Sequence, residues 1–289
     1  MRGSTAKPNN LVTLIPFHGF SPVLESLNIF FSALPNSQIF DLIYSLPFLK
    51  NLTLVINGID TDDFLRTSPD APLSTVRPPT SPAFTGTLDL TLFKGMGPIT
   101  RQLLALSNGL HFRKLELSWI HEGDNQWITA LATGCSGTLE CLGVTCYLSR
   151  TFTSFLYLTF LSSLLVGNST PAIIELSKAT KLKDVSFRPK SMNIEWIALA
   201  LRTITPKHRD LRQISIQAPY DATVRASSSA IVGRILGEQI CGSWSDLDSL
   251  LVQLWEVRSI RSTVICMTQH ERKYVGCLLR EITKRGWST

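Results

Sequence analysis

The chain has 289 residues, 44% of them apolar and 17% charged, with a formal net charge of +6. That length and apolar fraction provide for a sizeable core and exclude a disordered chain. Its positive residues are dispersed, apart from Lys207, His208, Arg209 and Arg212 and a C-terminal group at Arg280, Lys284 and Arg285; without a continuous basic stripe and aromatic partners, nucleic acid is not an expected ligand.

In chain order, the first ten residues, "MRGSTAKPNN", lack the apolar run of a signal peptide and are expected to be a disordered N-terminus. From there a six-residue template recurs, apolar-x-x-apolar-x-apolar. It appears at "LESLNI" (24–29), "LKNLTL" (49–54), "LDLTLF" (88–93, in looser form), "FRKLEL" (112–117), "LECLGV" (139–144), "LKDVSF" (182–187) and "LRQISI" (211–216), with weaker copies at "LVTLIPF" and "STVICM". Taking Leu27, Leu52, Leu90, Leu115, Leu142, Val185 and Ile214 as the central position, the steps are 25, 38, 25, 27, 43 and 29 residues. Most fall in or near the leucine-rich-repeat range of about 20–29 residues. Each template has the period-two alternation of a half-buried strand.

Helix-like stretches separate the templates. "SQIFDLIYSL" (37–46) has Ser37 as its cap, and "GPITRQLLAL" (97–106) has Pro98 at the first helical position. "DNQWITALATG" has Asp124 as N-cap and ends in glycine, "MNIEWIALALRTITP" stops at Pro206, and "DLDSLLVQLWE" (246–256) is the best amphipathic helix late in the chain. "ERKYVGCLLREITKRG" reads as a C-terminal cap. Two stretches break the rhythm. Residues 66–83, "RTSPDAPLSTVRPPTSPA", hold five prolines and read as an extended or disordered loop. Residues 151–174 carry no charge; their apolar run, interrupted by Thr and Ser, is shorter than the about 20 residues a spanning helix needs. It reads as an apolar insertion packed in the core, and membrane insertion is not expected.

Alternating strand and helix predicts an α/β fold with parallel strands covered by helices. The repeated template predicts a curved, leucine-rich-repeat-like solenoid over residues 11–286, with strands on the concave face and helices on the convex face. In that register the template's apolar positions point inward. Ser26, Asn28, Asn51, Thr53, Asp89, Thr91, Lys114, Glu116, Cys141, Gly143, Asp184, Ser186, Gln213 and Ser215 face outward on the concave sheet. From these, Asn28, Asn51, Thr53, Asp89, Thr91, Lys114, Glu116, Asp184, Ser186, Gln213 and Ser215 are the candidate partner-binding residues. Small, polar and of both signs, they suit a protein or peptide better than a phosphate backbone.

Chemistry-bearing motifs are incomplete. "KGMGPIT" (94–100) lacks the third glycine of a dinucleotide fingerprint and the Gly-Lys-Ser/Thr end of a P-loop, so a tight strand-to-helix turn is the expectation. "DTDDF" (60–64) lacks the glycine and distal glutamate of a calcium loop. His18, His111, His121, His208 and His270 have no metal-ligand spacing, and no Gly-x-Ser-x-Gly elbow occurs. Cys135, Cys141, Cys146, Cys241, Cys266 and Cys277 have no zinc-finger pattern and read as buried reduced thiols, favouring cytoplasm or nucleus. The sequons at Asn51 and Asn168 would then go unused. The expectation is a non-enzyme with no cofactor and no bound metal.

The stretches "LIPFHGFSPVLESLNIFF", "LPFLKNLTLVINGIDTDDF", "TGTLDLTLFKGMGPITRQLL", "HFRKLELSW", "TLECLGVTC", "IELSKATKLKDVSFRP", "EWIALALRTITPKHRDLRQISI", "DLDSLLVQLWE" and "LLREITKRG" look like the C-terminal region of the F-box and leucine-rich-repeat-like proteins expanded in mushroom-forming fungi. The resemblance covers residues 11 to 286. It implies an adaptor whose N-terminal F-box docks on a cullin–RING ubiquitin ligase while the repeat arc selects a protein substrate. This sequence departs from the pattern: its templates start at Leu24 and no F-box stands before them. The expectation is either a fragment of a longer F-box protein or a paralogue without one. The cullin-ligase adaptor is then a partner only if an F-box lies upstream. The competing expectation is a scaffold protein with no ubiquitin role, associated with membranes through 151–174.

Overall fold

The structure is a computed structural model that describes residues 23–30, 36–56, 82, 84–92, 97–106, 108–119, 125–146, 173–189, 194–217, 244–256 and 262–266. Eight strands form one parallel sheet: β1 (Ser26–Phe30), β2 (Asn51–Ile56), β3 (Thr87–Leu92), β4 (Lys114–Trp119), β5 (Cys141–Cys146), β6 (Asp184–Pro189), β7 (Gln213–Gln217) and β8 (Ser262–Cys266). Their order in the sheet is their order in the chain, β1 through β8, and the sheet is not closed. Every pairing is parallel and in register from template to template. "STVICM" supplies β8; "LVTLIPF", residues 60–64, 66–81, 151–172 and the C-terminal "ERKYVGCLLREITKRG" lie outside the described residues.

Between strands come helices α1 (Asn36–Tyr44), α2 (Gly97–Leu104), α3 (Asn125–Gly134) and α4 (Glu195–Arg202), and a fifth, α5, at 244–256. All five fall on the predicted stretches. Helix α1 starts at Asn36, so Ser37 lies inside its first turn and is not its cap; α2 starts at Gly97, which puts Pro98 one residue into the helix. Asp124 lies outside the described residues. Helix α4 ends at Arg202, before Pro206, and Thr203 takes over as C-cap.

The core is a single apolar layer. Inward strand residues (Leu52, Leu88, Leu115, Leu142, Val185, Ile214 and those two positions on) meet Ile39, Ile43, Ile99, Leu103, Ile128, Leu131, Ile197 and Leu201 from the helices. The buried apolar side chains of the helices all join this layer, so no described helix packs its apolar side on the sheet's second face. Helices α2 and α3 pack closely side by side. A Cβ on Gly97 would come within 3.0 Å of the Trp127 ring, and one on Gly134 within 2.9 Å of Leu104. The Gly97 of "KGMGPIT" thus serves close helix packing, and the expected strand-to-helix turn at 93–96 lies outside the described residues.

One strand's register departs from the sequence reading. Leu88, not Leu90, pairs with Leu52 and Leu115, so the steps around β3 are 36 and 27 residues. The preceding apolar anchor cannot then come from the template, because Thr85 stands three residues before Leu88. Phe84 fills the slot instead, fully buried, with its ring 4.9 Å from that of Phe112, which is the corresponding anchor of the next unit. To point inward from one residue farther back, Phe84 adopts a φ of 41°, in the left-handed region. A shift of two residues keeps the same face inward, so Asp89 and Thr91 stay on the outer face as predicted.

A second irregularity lies between β5 and β6. Residues 173–176, the described start of that crossover's return, are neither helix nor strand. Two threonines hold this segment in the helix layer. The Thr129 hydroxyl donates to the Ile173 carbonyl at 3.2 Å and accepts from the Glu175 N–H at 3.0 Å. The Leu176 N–H donates to Thr203 Oγ1 at 2.9 Å. Buried His208 accepts the Thr205 N–H through Nδ1, leaving Nε2–H to donate to the Leu176 carbonyl at 3.0 Å.

Candidate binding surface

The helix-free face is built in rows. Register places one residue per strand along each row, about 4.8 Å from the next. The first row runs Ser26–Asn51 on β1–β2 and Lys114–Cys141–Asp184–Gln213–Ser262 on β4–β8. The second runs Asn28–Thr53–Asp89–Glu116–Gly143–Ser186–Ser215–Val264 across all eight strands. The third contains Val55, Thr91, Ser118, Thr145, Arg188 and Gln217. All eleven candidate partner-binding residues therefore stand on one face. Arg188, on the third row, was missed because it follows the template rather than lying within it.

Not every one of them is free to bind. Asn51 is a strut: its amide donates to Ser26 Oγ at 2.9 Å while its Oδ1 accepts the Thr87 N–H at 2.8 Å, tying three strands together. Gly86 leaves it room, since a Cβ there would stand 2.0 Å from Asn51 Oδ1. Between β4 and β7 the face sinks into a depression of about 190 Å³, lined by Lys114, Glu116, Cys141, Gly143, Asp184, Ser186, Gln213 and Ser215. Its floor exists because Gly143 has no side chain: Glu116 leans over it, so a Cβ would stand 2.0 Å from Glu116 Oε2. Lys114 holds Glu116 at 3.2 Å, and Cys141 Sγ lies 3.6 Å from Asp184 Oδ2.

Burial pushes the Asp89 carboxyl up, and neighbouring Glu116 adds to it, against the pull of Lys114 and Arg188. Burial likewise raises the Cys141 thiol, with Asp184 adding to it. Cys135, in the core below, is pushed up to about 12 by burial. Both described thiols with placed side chains are free. His111 donates to the Asn108 carbonyl at 2.8 Å and His208 is engaged as above; His18, His121 and His270 lie outside the described residues. Among the described residues no group of three or more His, Cys, Asp or Glu could hold a metal ion, and no helix is long and apolar enough to cross a membrane.

The sequence reading also passed over a rim. One residue before each of the first six strands, Glu25, Lys50, Gly86, Arg113, Glu140 and Lys183 each accept with their carbonyl from the next unit. Carbonyls of Glu25, Gly86, Arg113, Glu140 and Lys183 each take two successive N–H groups, as Arg113 does from Glu140 and Cys141. Lys50 pairs with Glu25 at 2.5 Å and Lys183 with Glu140 at 2.8 Å. The Lys183 hydrogen bond holds the Glu140 carboxyl below its usual range, aided by the charges of Lys183, Arg113 and Lys181.

Comparison with protein-family models, with curated proteins and with solved structures returns no match.

Proposed function

We propose that this protein is a non-catalytic interaction module, a leucine-rich-repeat-like curved solenoid whose helix-free face takes a protein partner. The observation that carries the reading is the in-register face itself. Small and polar side chains of both signs lie in rows across consecutive strands, with no helix over them among the described residues, around a depression floored by Gly143. Stacked repeats use such extended faces for binding. Asp89, Lys114, Glu116, Asp184, Ser186, Gln213 and Ser215 are the residues of that face with side chains available to a partner, while Asn51 supports it.

A photo-cross-linking amino acid placed at Ser186 or Ser215 tests the reading in the cells of origin. A discrete protein adduct is expected from both, and none from the same group at the exposed helix residue Arg202. Adducts from Arg202 alone would put the partner on the helical side and overturn it.

The resemblance of the sequence blocks to fungal F-box proteins supports the narrower version, a substrate-recognition arc of a cullin–RING ligase. Affinity purification with mass spectrometry decides it. Recovery of the cullin and its adaptor supports the ligase role, and recovery of other partners without them leaves a scaffold with no ubiquitin role.

A further inference from the structure

The rim differs in charge from the face behind it. Along β4–β7 it carries Arg113, Glu140, Lys183 and Arg212 at consecutive positions, joined by the carbonyl chain described above, and Lys181 lies close enough to act on Glu140. Lys183 is engaged by Glu140 at 2.8 Å. Arg113, Lys181 and Arg212 are exposed, and their side chains make no hydrogen bond or salt bridge to the described residues. With Glu140 set against Lys183, the rim keeps a surplus of three positive charges along one edge of the candidate binding face. Immediately behind them, Asp89, Glu116 and Asp184 outnumber Lys114 and Arg188.

We propose that the rim from Arg113 to Arg212 docks an acidic segment of the partner protein, its carboxylates seated on Arg113, Lys181 and Arg212. This rests on the reading of the polar face as a protein-binding surface. Charge complementarity selects the occupant. Four consecutive strands span roughly 14 Å at about 4.8 Å per step, a distance that four or five extended residues cover. Guanidinium groups suit carboxylates because they offer a planar fork of donors. A nucleic-acid backbone fits less well: its charge is continuous, whereas Glu140 interrupts the rim and three more carboxylates stand behind it. A protein segment can match that alternation residue by residue.

The test is fluorescence anisotropy of a labelled octaglutamate peptide with the full chain at low and at physiological salt. Binding that weakens with salt is expected, and Arg113→Glu/Arg212→Glu should weaken it about ten-fold or more, with Arg113→Gln/Arg212→Gln intermediate. The control Lys178→Glu/Arg202→Glu changes net charge equally elsewhere and should bind as the parent does. Circular dichroism melts confirm that each variant folds; the Gln pair decides if the Glu pair does not. The proposal is overturned by no binding, by equal weakening in the control, or by an eight-nucleotide oligothymidylate that binds the rim as tightly. Ser186→Tyr, which adds bulk without charge, separates it from the reading it rests on. Octaglutamate binding lost in Ser186→Tyr but kept in the rim variants would sink the rim and keep the face. Rim binding together with a face that cross-links nothing would do the reverse.

Discussion

Two glycines of this protein look alike on paper and differ in what they support. A Cβ on Gly143 would collide only with the end of the Glu116 side chain, which is flexible and 25% exposed. Gly143→Ala is therefore expected to move the melting midpoint by no more than the equivalent of about 1 kcal/mol, the upper worth of the partly exposed Lys114–Glu116 pair it would displace. At Gly86 a Cβ would strike both the Asn51 amide and, at 3.0 Å, the Lys50 carbonyl, which cannot swing away. Because Asn51 Oδ1 satisfies the Thr87 N–H, Gly86→Ala should cost about 1–3 kcal/mol, the cost of leaving a donor unmet; denaturant melts of the two variants side by side check the contrast. Asp89 gives a prediction with a sign in pH. Its carboxyl titrates higher in the fold than in the unfolded chain. The folded state therefore favours the protonated form, and stability falls as pH rises through the range from the unfolded value of 3.8 upward. Asp89→Asn should raise the melting temperature at neutral pH and lose that advantage below the unfolded value. A gain of equal size at acid and neutral pH would mean that burial of the charge is not the cause.

At the scale of elements, the sequence was legible where the period was undisturbed. Templates at Leu52, Leu115, Leu142, Val185 and Ile214 carry their apolar residues at fixed offsets, so strand, face and pairing could be read directly. They could not at β3, where no apolar residue occupies the anchor offset and the template slid two places to Leu90. Phe84 restores the anchor through a left-handed backbone, a device that a pattern of residue types does not display. Nor could the threonine clamp be seen, since Thr129, Thr203 and Leu176 are far apart in the chain and adjacent only after folding. The candidate face was legible for the same reason as the strands, because it is the other half of one alternation. The rim was passed over although Glu25, Lys50, Arg113, Glu140, Lys183 and Arg212 each hold the second position of a template, because that position precedes the strand and belongs to neither of its faces. The clamp makes its own prediction. Thr203 accepts the Leu176 N–H and donates to the Ala200 carbonyl at 2.6 Å. Thr203→Val keeps the shape and removes both, so a loss of about 1–3 kcal/mol in denaturant melts is expected. Thr203→Ser, which keeps the hydroxyl, should recover most of it.

For the whole molecule, what matters is that each strand pairs only with its chain neighbours. Such a sheet has no long-range closure to rescue a broken rung. Stability must pass along the ladder, and a fault in the middle divides it. Leu115 on β4 is the sharpest place to test this: fully buried, it pairs with Leu88 on one side and Leu142 on the other. Leu115→Asp buries an unpaired charge between two apolar rungs, a penalty of several kcal/mol, comparable with the about 5–15 kcal/mol that holds a domain together. Loss of the cooperative melt in circular dichroism is expected. On the same strand, Lys114→Ala and Glu116→Gln sit on the other face and lose a partly exposed pair worth about 0–1 kcal/mol. Their melts should overlay the parent's while binding to the partner drops. If Leu115→Asp melted normally, or if the outward pair unfolded the chain, β4 would be facing the wrong way, and with it every row from which the candidate face is built.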